Sequence, residues 1–344
     1  MILSELVNFR NELFKYSLSG IKENTDREVE KIAHLVQTQP FVSAELINDL
    51  EEKHKNVQET FDKFESSLNV TKNYVQNLIK NIEPKWFEES SQRYKNQFDQ
   101  RIQKIHNDGI TYYDDYGVLR RGQDPIKLQA KNDFVNQILN KSITLPDEIK
   151  QIIRSRILKY ADWHYTGMII GPGTESFIND MVANDPLYLI DEYVELLYPA
   201  MSKFNESYQQ RLRTYAINEC SNDNMLEKLP NNQFAICMAY NYFDHRPIHI
   251  IEQYVKELFK KLCSGGVLAM TFNDCDRSSG VVLAENFNSF YTPGNLIVDL
   301  AKNIGYQEIF RINDDGPTTW IELKKPGNLS SVRGGQSLAK IYHK

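Results

Sequence analysis

Five short apolar runs follow one another between residues 168 and 272 of this 344-residue chain: Met168-Ile169-Ile170, Leu187-Tyr188-Leu189-Ile190, Thr214-Tyr215-Ala216-Ile217, Phe234-Ala235-Ile236-Cys237-Met238-Ala239 and Val267-Leu268-Ala269-Met270-Thr271-Phe272. Each is a short, largely apolar run. Strands of that kind are covered on both faces, and helical stretches lie between the later ones. This spacing predicts a mostly parallel sheet with helices on both sides, a doubly wound α/β domain.

The part before residue 109 has a different composition. Of 16 glycines only Gly20 lies there, and of 12 prolines only Pro40 and Pro84. With so few turn formers, residues 1–108 read as helix with few interruptions. Between 50 and 82 a seven-residue frame places Leu50, Val57, Phe64, Thr71 and Leu78 in one column and His54, Phe61, Leu68, Val75 and Ile82 in the other. The outward positions carry charges such as Glu51, Lys53, Lys55, Glu59, Lys63, Glu65 and Lys72. That is a narrow coiled-coil seam, and one helix cannot bury it alone. It either folds back on the segment containing Val29, Ile32, Leu35 and Val36, or serves as an oligomerisation or docking region. Pro40 stops the earlier helix, Ser43 caps the next, and Pro84 closes the heptad run before a stretch with Trp86, Phe87, Tyr94, Phe98, Ile102 and Ile105. Residues 109–149 read as a connector followed by a helix at 127–140, with another helix at 147–161 and the α/β domain spanning 150–326.

Composition excludes several classes. With 41% hydrophobic residues the chain can build a core, and a net charge of −6 makes a nucleic-acid backbone an unexpected partner. Cys220, Cys237, Cys263 and Cys275 contain no Cys-x-x-Cys pair, so they read as reduced thiols rather than a disulfide or zinc framework. The N-terminus lacks a signal peptide's basic flank and apolar core, and no apolar run approaches the ~20 residues that span a bilayer. The expected setting is cytoplasmic, or assembly into a virus particle, without a membrane.

The stretch Ile170-Gly171-Pro172-Gly173-Thr174 leaves the first strand and enters a helix. Glycine allows close backbone approach, and a helix start is electropositive, which suits a nucleotide-like or carboxylate-bearing ligand. The second strand ends in Asp191, about 20 residues on, where an acid can accept ribose hydroxyls or cap the helix beginning at Glu192.

These features resemble the class I S-adenosylmethionine-dependent methyltransferase family. Ile170-Gly171-Pro172-Gly173-Thr174 is similar to its first motif, and Leu189 to Leu197 to its second strand and following helix. Leu229 to His245 is similar to the fourth strand and its loop, and Leu258 to Leu268 to a helix, a Gly-Gly turn and the fifth strand. Residues 296–304 and the runs near 305–310 and 319–323 resemble the closing helix and antiparallel pair. The resemblance spans about residues 150–326 and implies a Rossmann-like, seven-stranded sheet. It also implies S-adenosylmethionine bound by Gly171, Pro172, Gly173, Thr174, Asp191, Asp223, Asn224 and Asn241. It leaves residues 1–108 unexplained. Two positions depart from the motif: Ile169 stands where the family places an acid, and Glu175 where it places a third glycine.

Methyl transfer needs placement and, at most, a base for the acceptor's proton. Asp244 or His245, in the loop after the fourth strand, are the candidates, with Asp244 alternatively capping the next helix. His245 and His249 are four apart, but Pro247 intervenes and no third metal ligand is evident. Asn273-Asp274-Cys275-Asp276-Arg277 reads as a second, solvated polar loop over the same edge. The basic tail, residues 327–344, holds with Lys324 and Lys325 five Lys or Arg and no acid, and reads as a flexible terminus or a docking peptide. The expected function is methyl transfer to a small molecule or protein, with a homo-oligomer or protein partner bound through the 50–82 helix. The alternatives are a structural protein, such as a phage or virus particle component, that reuses the fold, and a dinucleotide-dependent oxidoreductase.

Overall fold

The structure is a computed structural model that describes residues 2–15, 26–27, 29–31, 34, 44–107, 145–172, 177–192, 197, 200–201, 204–217, 219, 225–313 and 316–329. The chain divides into two compact units, Met1–Pro84 and Lys85–Lys344.

In the first unit, helix α1 spans Ile2–Lys15 and helix α2 begins at Ala44, running on to Asn107. Pro84 lies inside α2. It does not end the helix: a proline forfeits one backbone hydrogen bond, and side chains on both sides of it keep the helix packed. The inward stripe of α2 differs from the seven-residue frame. Val75 and Ile79 are buried, whereas Val57 and Phe64 are 42% and 59% exposed. One column of the frame, His54, Phe61, Leu68 and Val75, faces inward together with Gln58, Glu65, Lys72 and Ile79, while Val57, Phe64 and Thr71 face out. Such a stripe suits packing within the unit: α1 contributes the buried Leu3 and Val7, and its Phe14 ring lies 5.2 Å from the Lys72 ammonium. The expected helix at 127–140, Ser43, Pro40 and the tail beyond 329 lie outside the described residues.

The second unit is built on a seven-stranded sheet. The strands are β1 (Thr166–Ile170), β2 (Leu187–Asp191), β3 (Leu212–Ala216), β4 (Phe234–Ala239), β5 (Leu262–Asn273), β6 (Gln307–Asn313) and β7 (Thr318–Lys324). Their order is β3-β2-β1-β4-β5-β7-β6. The first five pair in parallel, and β7 is antiparallel to both β5 and β6. This is the Rossmann-like class I methyltransferase fold that the resemblance implies.

Period-two alternation sorts each central strand between two cores. Met168, Ile170, Ile190, Cys237, Ala239, Leu268 and Met270 enter one, with Ile251, Tyr254, Val255 and Leu258 of α4 (Ile248–Lys261) and Ile297 and Ala301 of α6 (Gly294–Ile304). Ile169, Leu187, Leu189, Ile236, Met238, Val267 and Ala269 enter the other, with Ile153 and Ile157 of α3 (Asp147–Ile157). A short helix α5 (Ser278–Glu285) follows β5. Because both faces are covered, the carboxyl ends of the parallel strands form the edge where loops can gather functional groups.

Candidate functional site

The edge is organised around the β1 turn. Gly171 has φ +70°, the left-handed region that favours glycine, and its N–H donates to the Ile190 carbonyl at 2.8 Å. A Cβ here would come within 2.4 Å of the Tyr242 ring, so Gly171 is needed for both its backbone and its contact. Since Ile170 pairs with Ile190, Asp191 stands beside this turn, buried to 1% exposure at the end of β2. Its carbonyl accepts from Ile217 N–H, which links the ends of β2 and β3. Thus the structure brings Gly171, Pro172 and Asp191 to one edge. Gly173, Thr174, Glu175, Asp223 and Asn224 lie outside the described residues.

Behind the turn sits a polar cluster that the sequence reading missed. Glu219, just beyond β3 and fully buried, accepts hydroxyls from Tyr242 at 2.5 Å, Tyr254 at 2.7 Å and Tyr94. Arg246 Nε lies 3.1 Å from both Glu219 oxygens, Arg246 Nη2 is 3.4 Å from Glu192, and the guanidinium stacks 3.9 Å from the Tyr242 ring centroid. Burial alone would raise the Glu219 pKa, but the Arg246 charge and the three hydroxyls outweigh it and hold the carboxyl below its ordinary value. Burial pushes the Tyr242 and Tyr254 hydroxyls up, so they remain donors. Four segments distant in sequence meet on one carboxylate, the Tyr94 part of α2 among them. No local motif advertises that convergence. The one cue was that the amphipathic stretch after Pro84 puts Tyr94 on its apolar side.

The loop after β4 carries the predicted catalytic candidates. Asn241 is buried with φ +51°, and its N–H donates to Thr271 Oγ1 at 2.6 Å. Thr271 in turn donates to Asp244 Oδ2 at 3.0 Å. Burial pushes the Asp244 carboxyl up to about 6, against the opposing pull of the Thr271 hydroxyl. Asp244 does not cap α4: the residue before that helix is Pro247, with no side-chain cap. His245 is half-buried beside it in the same short turn, Phe243–His245. His249 points elsewhere, its Nδ1 3.0 Å from Ser91 Oγ. Among the described residues no group of three or more His, Cys, Asp or Glu could hold a metal ion.

The loop after β5 differs from the solvated one expected. Asn273, Asp274 and Cys275 are 2%, 4% and 1% exposed. Asp274 accepts from Thr319 Oγ1 at 2.8 Å and from Gly294 N–H at 3.1 Å, so it caps the start of α6. Asn273 Nδ2 donates to the carbonyls of Gly280 and Phe290. Gly280 and Gly294 permit this closeness, since a Cβ on either would strike Asp274. Burial pushes the Cys275 thiol well up, so it is not a thiolate nucleophile.

No protein-family model matches the chain, and no curated protein matches it. Solved structures do. An S-adenosylmethionine-dependent methyltransferase from Mesorhizobium loti is 8% identical, covers 50% of this chain and 96% of its own, and has a TM-score of 0.41. An O-methyltransferase family protein from Burkholderia thailandensis is 10% identical over 53% of this chain and 57% of its own, with a TM-score of 0.41. The N-methyltransferase NodS from Bradyrhizobium japonicum, in complex with S-adenosyl-L-homocysteine, is 9% identical over 51% and 87%, with a TM-score of 0.38. At such identities no residue role transfers from those proteins to this one.

Proposed function

We propose that this protein is an S-adenosylmethionine-dependent methyltransferase acting on a small-molecule or protein acceptor. One observation carries the reading: in a sheet of order β3-β2-β1-β4-β5-β7-β6, a left-handed glycine ends β1 beside a buried aspartate that ends β2. The donor set fits the cofactor that the fold family implies. Asp191 offers a carboxylate for the ribose hydroxyls at the end of β2, Gly171 makes the left-handed turn that ends β1, and the Tyr242 ring, with Arg246 stacked on it, packs against that turn.

The bound cofactor supplies an electrophilic methyl group on a sulfonium. The residues of this chain supply placement and proton handling. Asp244 is ionised at neutral pH yet basic enough, at about 6, to take a proton from an acceptor hydroxyl or amine. Thr271 holds its Oδ2 in place and is itself anchored by Asn241 N–H. Such a base gives a rate that rises with pH through about 6 and levels above it, and Asp244→Asn abolishes that limb.

The first test is calorimetry with S-adenosylmethionine on the wild type and on Asp191→Ala. The expected result is binding by the wild type that the variant loses. No binding at millimolar ligand overturns the reading and leaves a structural role for the fold. Oligomerisation or docking through residues 50–82 belongs to the same proposal, supported by the outward Val57, Phe64 and Tyr74 of α2. Analytical ultracentrifugation of the full chain tests it. No described helix is long and apolar enough to cross a membrane.

A further inference from the structure

Four buried or half-buried arginines of the second unit are matched by acids. Arg156 makes a two-pronged pair with Glu322 at 2.5 and 2.8 Å, Arg246 faces Glu219 at 3.1 Å, Arg311 faces Glu308 at 2.9 Å, and Arg211 lies 3.4 Å from Asp185. Arg93 of α2 breaks this pattern. It is half-buried, yet among the described residues no carboxylate lies within ion-pair distance of it. Glu89, one turn back on the helix, acts only at longer range and lies 4.0 Å from Lys85.

The guanidinium is mounted rather than neutralised. It lies 4.4 Å from the Phe290 ring centroid and 5.0 Å from that of Phe287, and Nη2 donates to the Ser289 carbonyl. Its Nε is buried without an acceptor. Burial lowers the pKa of the group, and the Glu89 charge offsets that only in part. Phe287, 67% exposed, takes φ +58° as the residue that ends α5, with its N–H donating to the Ala284 carbonyl and the Asn288 N–H to the Leu283 carbonyl. The planar cation thus rests on an aromatic shelf with no carboxylate paired to it among the described residues. The N–H groups of the guanidinium that the Ser289 carbonyl does not take are donors suited to an oxygen of a carboxylate or phosphate.

The location gives this cation a role. Ser289 accepts from Arg93 through its carbonyl and donates its hydroxyl to the Asp244 carbonyl, and Asn273 reaches the next carbonyl, that of Phe290. Arg93 and the proposed base Asp244 thus flank one residue. We propose that Arg93 is a specificity residue that binds an anionic group, carboxylate or phosphate, on the methyl acceptor. The anion site stands by itself; its assignment to the acceptor rests on the methyltransferase reading above.

The test needs no acceptor. Calorimetry with inorganic phosphate, at constant ionic strength against sodium chloride, is run on the wild type, Arg93→Gln and Arg93→Lys. The expected result is millimolar binding by the wild type, at least fivefold weaker in Arg93→Gln and intermediate in Arg93→Lys. S-adenosylmethionine affinity should stay within twofold across all three. Equal phosphate affinity in the wild type and Arg93→Gln, or no binding to the wild type, overturns the anion site whatever the cofactor titration gives. If phosphate binds through Arg93 but S-adenosylmethionine does not bind the wild type, the anion site stands and its assignment to a methyl acceptor falls. Should Arg93→Gln fail to fold, phenylglyoxal labelling of the wild type replaces it. Phosphate should then protect Arg93 at least threefold from modification, and labelling unaffected by phosphate overturns the site.

Discussion

Glu219→Gln should be among the most costly single-atom changes in this protein. The substitution keeps size and shape but removes the charge that faces Arg246 at 3.1 Å, leaving that buried guanidinium with Glu192 at 3.4 Å. It also replaces one acceptor oxygen by an amide N–H2, which faces donors: the hydroxyls of Tyr94, Tyr242 and Tyr254 and the guanidinium itself. Breaking a buried pair from one side costs about 3–5 kcal/mol. At about 2–4 °C per kcal/mol for a domain of this size, the melting temperature should fall by roughly 6–20 °C. The pH dependence has a definite sign. Because the folded Glu219 titrates below its ordinary value of 4.5, its contribution is present above that pH and is lost as the pH falls through the folded value. The gap between wild type and variant should therefore be widest near neutrality and narrow below about pH 4.5. Urea denaturation followed by circular dichroism, at pH 7 and pH 4, measures both. Adding Arg246→Met should recover part of the loss, with a coupling of about 2 kcal/mol or more in the double-mutant cycle. A cost below about 1 kcal/mol for Glu219→Gln, or additive single effects, would refute the claim that this pair is a coupled buried unit.

Two further outcomes follow from the same edge. Gly171→Ala must place a Cβ 2.4 Å from the Tyr242 ring at φ +70°. It should cost about 2–5 kcal/mol, from the left-handed backbone and the overpacking together, and equilibrium unfolding would show it. Asp244 titrates near 6 when folded, above its ordinary 3.8, so the folded state holds the extra proton in that window and loses stability as pH rises through it. The wild type should lose up to about 3 kcal/mol between pH 4 and pH 7 through this group, and Asp244→Asn should flatten that slope in urea titrations.

The architecture of the second unit was legible in the sequence because strand period and strand spacing are local properties. Apolar runs at 168–170, 187–190 and 234–239 became β1, β2 and β4, and the third and fifth runs fell within or across β3 and β5. Gly171 and Asp191 were readable for the same reason: a glycine at a strand end and an acid at the next strand's end are features of short segments. Solvation was not readable. Asn273-Asp274-Cys275 has the composition of an exposed loop, yet the Asn273 amide N–H2 and the Asp274 carboxylate find buried partners in α5, α6 and β7, which no local rule can supply. What covers the outward face of α2 was not readable either, because heptad counting records which residues are apolar and not which neighbour covers them.

By itself, then, the sequence determined the α/β class, the turn at Gly171 and the acid at Asp191, all consequences of backbone period and residue size over a few positions. Only the tertiary structure decided that Tyr94, Tyr242, Arg246 and Tyr254 converge on the Glu219 carboxylate, and that no carboxylate among the described residues pairs with Arg93. Whether a buried charge is compensated depends on groups more than a hundred residues apart, such as Tyr94 and Glu219, and that pairing exists only once the chain has folded.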